Sequence, residues 1–249
     1  MDDADSDLSS DWDEQACLQS TSLSPRTISF RLGSRCITAT GAPHDREHPN
    51  VLQLRVHRSA LQLLVRTLLR CLPSSLRSWA CSSFPEWFLP TDIVFKKQKV
   101  GWDEEFATEQ ATYEKLRCLQ GRVIPVCYGQ TQHEGTHALI LSDIGGACVA
   151  EPRGAVLTEQ SMRPLFEKAL SVLASHGIGQ DDLKLDNFHL VDDGESKAIM
   201  VVDLERVNVL PPEMNRAKSV QHDVNFLMRA YRDHLECLRF DGLLLPAIA

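Results

Sequence analysis

The sequence predicts an α+β chain folded as two unequal lobes around a cleft, with the C-terminal lobe reduced. Three observations predict it. Between residues 92 and 141 a strand, an amphipathic helix and two short apolar strands follow one another, and Ser142-Asp143-Ile144-Gly145-Gly146 then reads as a linker. From Thr158 onward a long helix leads into a polar loop, a hairpin and an aspartate. After Asp223 only 26 residues remain, room for one more helix and little else.

Composition bounds the function classes. With 249 residues, 43% of them apolar, the chain can bury a sizeable core. No stretch approaches the ~18 apolar residues of a spanning helix. The opening MDDADSDLSSDWDE has neither the basic start nor the apolar run of a secretory signal. A net charge of −8 argues against a nucleic-acid partner, because counterion release needs clustered Lys and Arg. The eight cysteines form no C-x-x-C pair, so reduced thiols are expected rather than a zinc site or a disulfide framework. An intracellular protein follows, cytoplasmic or nuclear.

In chain order, residues 1–25 carry seven acids and no Lys or Arg, the composition of a disordered acidic tail. Residues 26–90 are expected to be an N-terminal extension. Thr27–Leu32 alternates as a half-buried strand closed by Gly33, and the leucine-rich stretch 51–72 reads as one helix ending before Pro73. Five arginines (55, 58, 66, 70, 77) and no acid lie between 51 and 85. Peripheral membrane contact by 51–81 is one reading of that pattern. The favoured one is a domain helix with leucines inward and arginines outward.

The main domain is expected over 91–240, with 91–142 in the small lobe, 143–240 in the large lobe and 241–249 as a tail. Asp92–Lys97 reads as a strand. Asp103–Leu119 reads as an acidic-first helix, Val123–Tyr128 and His137–Leu141 as strands, and Thr158–His176 as a helix ended by Gly177. Asn187–Val191 and Ala198–Val202 flank Asp192-Asp193-Gly194 as a hairpin, and a last helix covers about Val220–Cys237.

The chemistry sits in Gln180-Asp181-Asp182-Leu183-Lys184-Leu185-Asp186-Asn187 and in Asp203-Leu204-Glu205 after the hairpin. The hairpin folds Asp203 back beside Asn187, offering oxygen ligands of the kind Mg²⁺ takes, with Glu205 as an additional candidate. Asp182, five residues before Asn187, is placed to accept a hydroxyl proton. Lys184 is placed to neutralise a phosphate in transit.

This segment resembles the protein-kinase catalytic loop H-R-D-L-x-x-x-N followed by the D-F-G aspartate. Ile93-Val94-Phe95-Lys96 looks like the V-A-I-K strand, and Glu109 lies on the next helix where that lysine's glutamate partner belongs. Leu139 to Gly146 looks like the hinge between the lobes, so the resemblance puts Leu141, Asp143 and Ile144 beside the nucleotide. Asp223-Val224 opens a helix as the anchoring aspartate of the large lobe does. The likeness covers about residues 91–235. It is closer still to the small divergent kinase-like proteins of filamentous fungi, and D-L-E for D-F-G is similar to the choline-kinase and aminoglycoside-phosphotransferase branch.

The resemblance implies an ATP- and Mg²⁺-dependent phosphotransferase with Lys96 and Glu109 on the nucleotide, Asn187, Asp203 and Glu205 on the metal, and Asp182 with Lys184 in catalysis. The default acceptor is a protein Ser/Thr hydroxyl, and a small-molecule hydroxyl is the alternative suggested by D-L-E. The departures suggest another class, a pseudokinase that binds a protein partner without turnover. No G-x-G-x-x-G precedes Lys96, the catalytic-loop His and Arg are Gln180 and Asp181, and Asp203 to Asp223 is short, with Pro211-Pro212-Glu213 as a candidate A-P-E remnant.

Overall fold

In the computed structural model, residues 24–247 are described except 45–47, 71–72, 193, 195 and 212–214. Most of the acidic tail, the end of the C-terminal tail and most of the Pro-Pro-Glu sequence therefore lie outside the described residues.

The small lobe is one antiparallel sheet of six strands in the order β1-β2-β3-β4-β6-β5. Its strands are β1 (Arg26–Leu32), β2 (Arg35–Pro43), β3 (Val51–Val56), β4 (Asp92–Lys97), β5 (Cys127–His133) and β6 (Thr136–Ser142). The first four form a meander, with Leu32 opposite Arg35 across the Gly33 turn, Gly41 opposite Leu54, and Leu54 opposite Ile93. Ile28, Phe30, Ile37, Leu52, Ile93 and Phe95 are buried on one face of this sheet. No strand boundary separates residues 26–56 from 91–142. The expected extension instead supplies half of the small-lobe sheet.

Residues 51–72 are not one helix. Leu52, Leu54 and Val56 are buried while Gln53 and Arg55 are exposed, which is the period of a strand. The helix α1 (Ala60–Arg70) begins only after His57-Arg58-Ser59, where Ser59 Oγ accepts the Gln62 backbone N–H (3.2 Å). A second helix, α2 (Ser74–Ser83), and a short 3₁₀ turn at Pro85–Trp87 complete an excursion between β3 and β4. Four leucines of α1 do not point inward: Leu61, Leu63, Leu64 and Leu68 are 50–61% exposed.

The helix α3 (Asp103–Lys115) starts on three acids, which suit the positive end of its dipole, and buries Phe106, Glu109 and Tyr113. The strand expected at Val123–Tyr128 begins at Cys127, because Pro125 precedes it and the register slips between Cys127 and Gly129.

The large lobe is built on α4 (Glu159–Ser175), capped by Thr158, and α5 (Arg216–Phe240), capped by Asn215. Phe166 meets both Phe188 and Tyr231 edge to face, and the Tyr231 hydroxyl donates to Leu157 O (2.7 Å). Asp223 lies inside α5 rather than opening it, since the helix begins at Arg216. Between the helices, β7 (Ala147–Cys148) pairs with β9 (Phe188–Asp192), which pairs with β10 (Lys197–Val201), while β8 (Ile178–Gln180) pairs with β11 (Val207–Val209). No helix among the described residues is long and apolar enough to cross a membrane.

Candidate functional site

A cavity of about 360 Å³ opens between the sheet and the large lobe, the size of a small-molecule site. Val51, Val94, Leu141, Ile144 and Val202 give it apolar walls, and Lys96, Asp186, Asn187 and Asp203 give it a polar end. Leu141 and Asp143 thus lie where the linker was expected to line it. The Asp143 carboxylate, however, accepts the Gly145 backbone N–H (3.0 Å) and shapes the turn.

At the polar end, strand alternation settles which lysine enters. Lys96 is buried, whereas Lys97 points to the other face and pairs with the exposed Glu134 (3.3 Å). The Lys96 ammonium stands 2.9 Å from Glu109 Oε1, 3.0 Å from Asp203 Oδ1 and 3.0 Å from Glu205 Oε1. Burial alone would pull its pKa down, but three carboxylates outweigh burial and hold it above the usual lysine range. Of the glutamates on α3, only Glu109 is fully buried, and burial pushes its carboxyl up to about 7 against the pull of Lys96. Asp203 is also penalised by burial, yet the Lys96 charge and the Glu205 backbone N–H keep it below the ordinary carboxylate value.

The hairpin places Asp203 as its order predicts. Phe188 pairs with Val201, and the Val202 N–H continues the ladder to Asn187 O (3.0 Å), bringing residue 203 to the level of the loop. Asn187 Nδ2 donates to Asp182 O (2.8 Å), which fixes the amide and turns Oδ1 away from that bond. Asp203 spends Oδ1 on Lys96 and on the Glu205 N–H (3.0 Å). Oδ2 of Asp203 and Oδ1 of Asn187 take no hydrogen bond among the described residues. They are hard oxygen donors on one cavity wall, a set that fits Mg²⁺. Glu205 groups with Glu109 and Asp203, their carboxylate oxygens within 4.8 Å of one another, but Lys99 holds its Oε2 at 2.7 Å and Lys96 its Oε1.

Asp182 and Lys184 do not line the cavity. They pair with each other at 3.1 Å, with the lysine side chain 65% exposed. Asp186, four residues on from Asp182, is in the wall instead. The loop is nevertheless anchored to Asp203 from below. Gln180, at the position of the catalytic-loop histidine, donates Nε2 to Asp203 O (2.7 Å).

Several wall residues escaped the sequence reading. His189 lies two residues past Asn187, so β9 alternation aims it into the cavity, where burial lowers its imidazole to about 4. His44 and His48 enter from the β2–β3 connection, which is clamped to β4 by Lys97 N–H to Asn50 O (2.8 Å) and Asn50 Nδ2 to Lys97 O (3.2 Å). This connection occupies the edge where a glycine-rich loop was missed. The two early glycines serve elsewhere. Gly33 turns β1 into β2 with φ 53°, and a Cβ on Gly41 would stand 1.8 Å from Gln53 O.

A curled sheet, a lysine on its fourth strand, its glutamate partner on the following helix, a linker at the cavity and an aspartate after a hairpin together make a protein-kinase-like fold with a reduced large lobe. No family model and no curated protein matches the sequence. Among solved structures, one similar chain is a divergent kinase lacking the glycine-rich loop that regulates membrane ultrastructure of the Toxoplasma parasitophorous vacuole. It has 16% identity and TM-score 0.48 over 78% of this chain and 66% of its own. The PknI kinase domain of Mycobacterium tuberculosis, in two mutant forms, is similar at 13% identity. One form has TM-score 0.45 over 72% of this chain and 62% of that one, the other 0.46 over 76% and 72%. The chain thus spans about two thirds of the length of these neighbours. Their TM-scores lie below 0.5, and the fold assignment stands on the strand order and ion pairs above.

Proposed function

We propose that the chain is an ATP- and Mg²⁺-dependent phosphotransferase whose default acceptor is a protein Ser/Thr hydroxyl. One observation carries the reading: Lys96 joins Glu109 to Asp203 at the polar end of an apolar-walled cavity, on the wall that also presents Asn187. The apolar walls suit a base, and the linker at Leu141–Ile144 offers backbone groups at its edge. Lys96 and the metal ligands suit a polyphosphate.

Asp203 and Asn187 would hold magnesium, which when bound neutralises charge on phosphate oxygens. The protein's own part is positioning and preset electrostatics. Lys96, kept charged by its three carboxylates, meets phosphate oxygens as a fixed cation. Gln180 and the β9–β10 ladder hold the Asp203 backbone so that its carboxylate does not swing. Asp182 would accept the acceptor's proton on parting from Lys184.

A second reading keeps the cleft without turnover, as a nucleotide- or partner-binding scaffold. The placement of Asp182, off the cavity wall and paired to Lys184, favours it. A small-molecule hydroxyl as acceptor is the alternative that D-L-E at Asp203-Leu204-Glu205 suggests.

The test is a thermal-shift titration with ATP alone, with ATP plus Mg²⁺, and with ATP plus Mg²⁺ on Asp203→Asn. At 100-fold excess over Kd a native-state ligand adds about 2.7 kcal/mol. A Mg²⁺-dependent shift lost in the variant supports the cleft, and absence of any shift overturns it. Phosphoryl transfer abolished by Asp182→Ala with nucleotide binding retained separates the enzyme from the scaffold.

A further inference from the structure

The α1–α2 excursion leaves an apolar face open. On α1, Leu61, Leu64 and Leu68 recur at i, i+3 and i+7 and are 55–61% exposed. On α2, Leu76 (50%) and Trp79 (62%) share a face, and the Trp79 ring meets the exposed Phe84 edge to face at 6.0 Å. Among the described residues the excursion is fastened to the sheet near its base. Ser34 Oγ donates to the buried Glu86 (3.0 Å), Arg35 Nη1 to Glu86 O (3.1 Å), and Gln62 Nε2 to Trp87 O (3.3 Å). The outer leucines belong to neither core cluster. Exposed large apolar side chains recurring along one face of each helix mark an interaction surface.

Charge says what covers it. From residue 51 to 85 the chain has five arginines and no acid, although it is acidic overall at −8. Arg58 and Arg77 are exposed within the excursion, whereas Arg55 lies on β3 and pairs with Asp92 (3.0 Å). The occupant is therefore anionic. It is also apolar, since the two helices present exposed leucines and a tryptophan to it. A bilayer surface meets both demands, since it takes leucine and tryptophan side chains at the headgroup boundary and arginines at its phosphates.

We propose that the α1–α2 face docks the protein on an anionic lipid membrane. The geometry keeps the cleft clear of it. Arg55 and Asp92 pair at the excursion's end of β3 and β4, whereas Val51 and Lys96 pair at the cavity end, about 13 Å along the strands.

The test is flotation of the full chain with vesicles of phosphatidylcholine alone and of phosphatidylcholine with phosphatidylserine. Binding is expected only to the anionic vesicles, weakening as salt rises. Leu64→Glu with Leu68→Glu should lower it at least tenfold, while the thermal midpoint stays within a few degrees because both residues are exposed. Val209→Glu, equally exposed elsewhere, should leave it unchanged. Failure of the full chain to bind anionic vesicles overturns the proposal, as does binding that the leucine variant retains. Loss in Arg58→Glu/Arg77→Glu with none in the leucine variant also overturns it, in favour of an acidic protein. Binding seen only when the seven acids of residues 2–14 are neutralised overturns it too, with the chain's own acidic segment as the occupant.

Discussion

Lys99 and Glu205 form the shortest ion pair around the buried charge cluster, with Nζ 2.7 Å from Oε2, and the other oxygen of Glu205 rests on Lys96 at 3.0 Å. Glu205 therefore competes for the ammonium that a nucleotide's phosphates would need. Its removal frees part of that charge. Glu205→Gln should bind ATP plus Mg²⁺ up to about tenfold tighter, equivalent to ~1.4 kcal/mol, by calorimetric titration. Weaker binding with reduced Mg²⁺ dependence would instead make Glu205 a metal ligand.

Among the described residues, Lys96 is the one cation touching three carboxylates. Removing one partner of a buried ion pair costs about 3–5 kcal/mol. Lys96→Met should lower stability by that order in denaturant unfolding, and Glu205→Gln in the same chain should recover part of it by removing an uncompensated acid. Lys184→Met, which breaks an exposed pair, should stay within about 1 kcal/mol. Equal losses for the two lysines would refute this account of the cluster.

Two buried groups set opposite pH limits. Glu109, raised from 4.5 to about 7, favours its protonated form in the fold, so its contribution is complete below pH 4.5 and is lost as pH rises through 7. His189, lowered from 6.5 to about 4, stabilises above pH 6.5, and that contribution is lost as pH falls towards 4. Thermal melts from pH 4 to 8 should show Glu109→Gln flattening the limb that falls with rising pH. His189→Leu should flatten the acid limb.

Gln180 holds the Asp203 carbonyl by one hydrogen bond from a buried amide. Gln180→Leu leaves that carbonyl without its donor, a loss of about 1–3 kcal/mol. It should weaken Mg²⁺-dependent nucleotide binding more than binding of nucleotide alone. Gln180→His retains a ring N–H donor and should keep most of both.

Much of the site was legible because local order dictates it. A strand alternates, so only one of Lys96 and Lys97 can enter the cleft, and a hairpin of known turn returns Asp203 to Asn187. What escaped depends on long-range packing. The β3 strand was hidden because a leucine-rich helix follows it almost at once, and the apolar content of both merges into one run. Nothing local distinguishes Glu205 bound to Lys96 from Glu205 facing a metal; the choice is made by Lys99, 106 positions away in sequence. His44 and His48 reach the cavity only because β2 and β3 are paired, a fact of topology that composition does not carry.

The Val56 N–H donates to Thr91 O at 2.7 Å, so the chain leaves the sheet for the excursion and re-enters it one strand spacing away. In polymer terms, residues 57–91 are a long loop whose ends are already closed. Shortening it to a tight turn would lower the closure entropy by about 2 kcal/mol, to be set against the few buried contacts at its base. The excursion is thus an insert whose return leg still serves the sheet, since Leu89 is fully buried in the sheet's core cluster. A two-residue turn joining Val56 to Thr91 would keep the Arg55–Asp92 register that delivers Lys96.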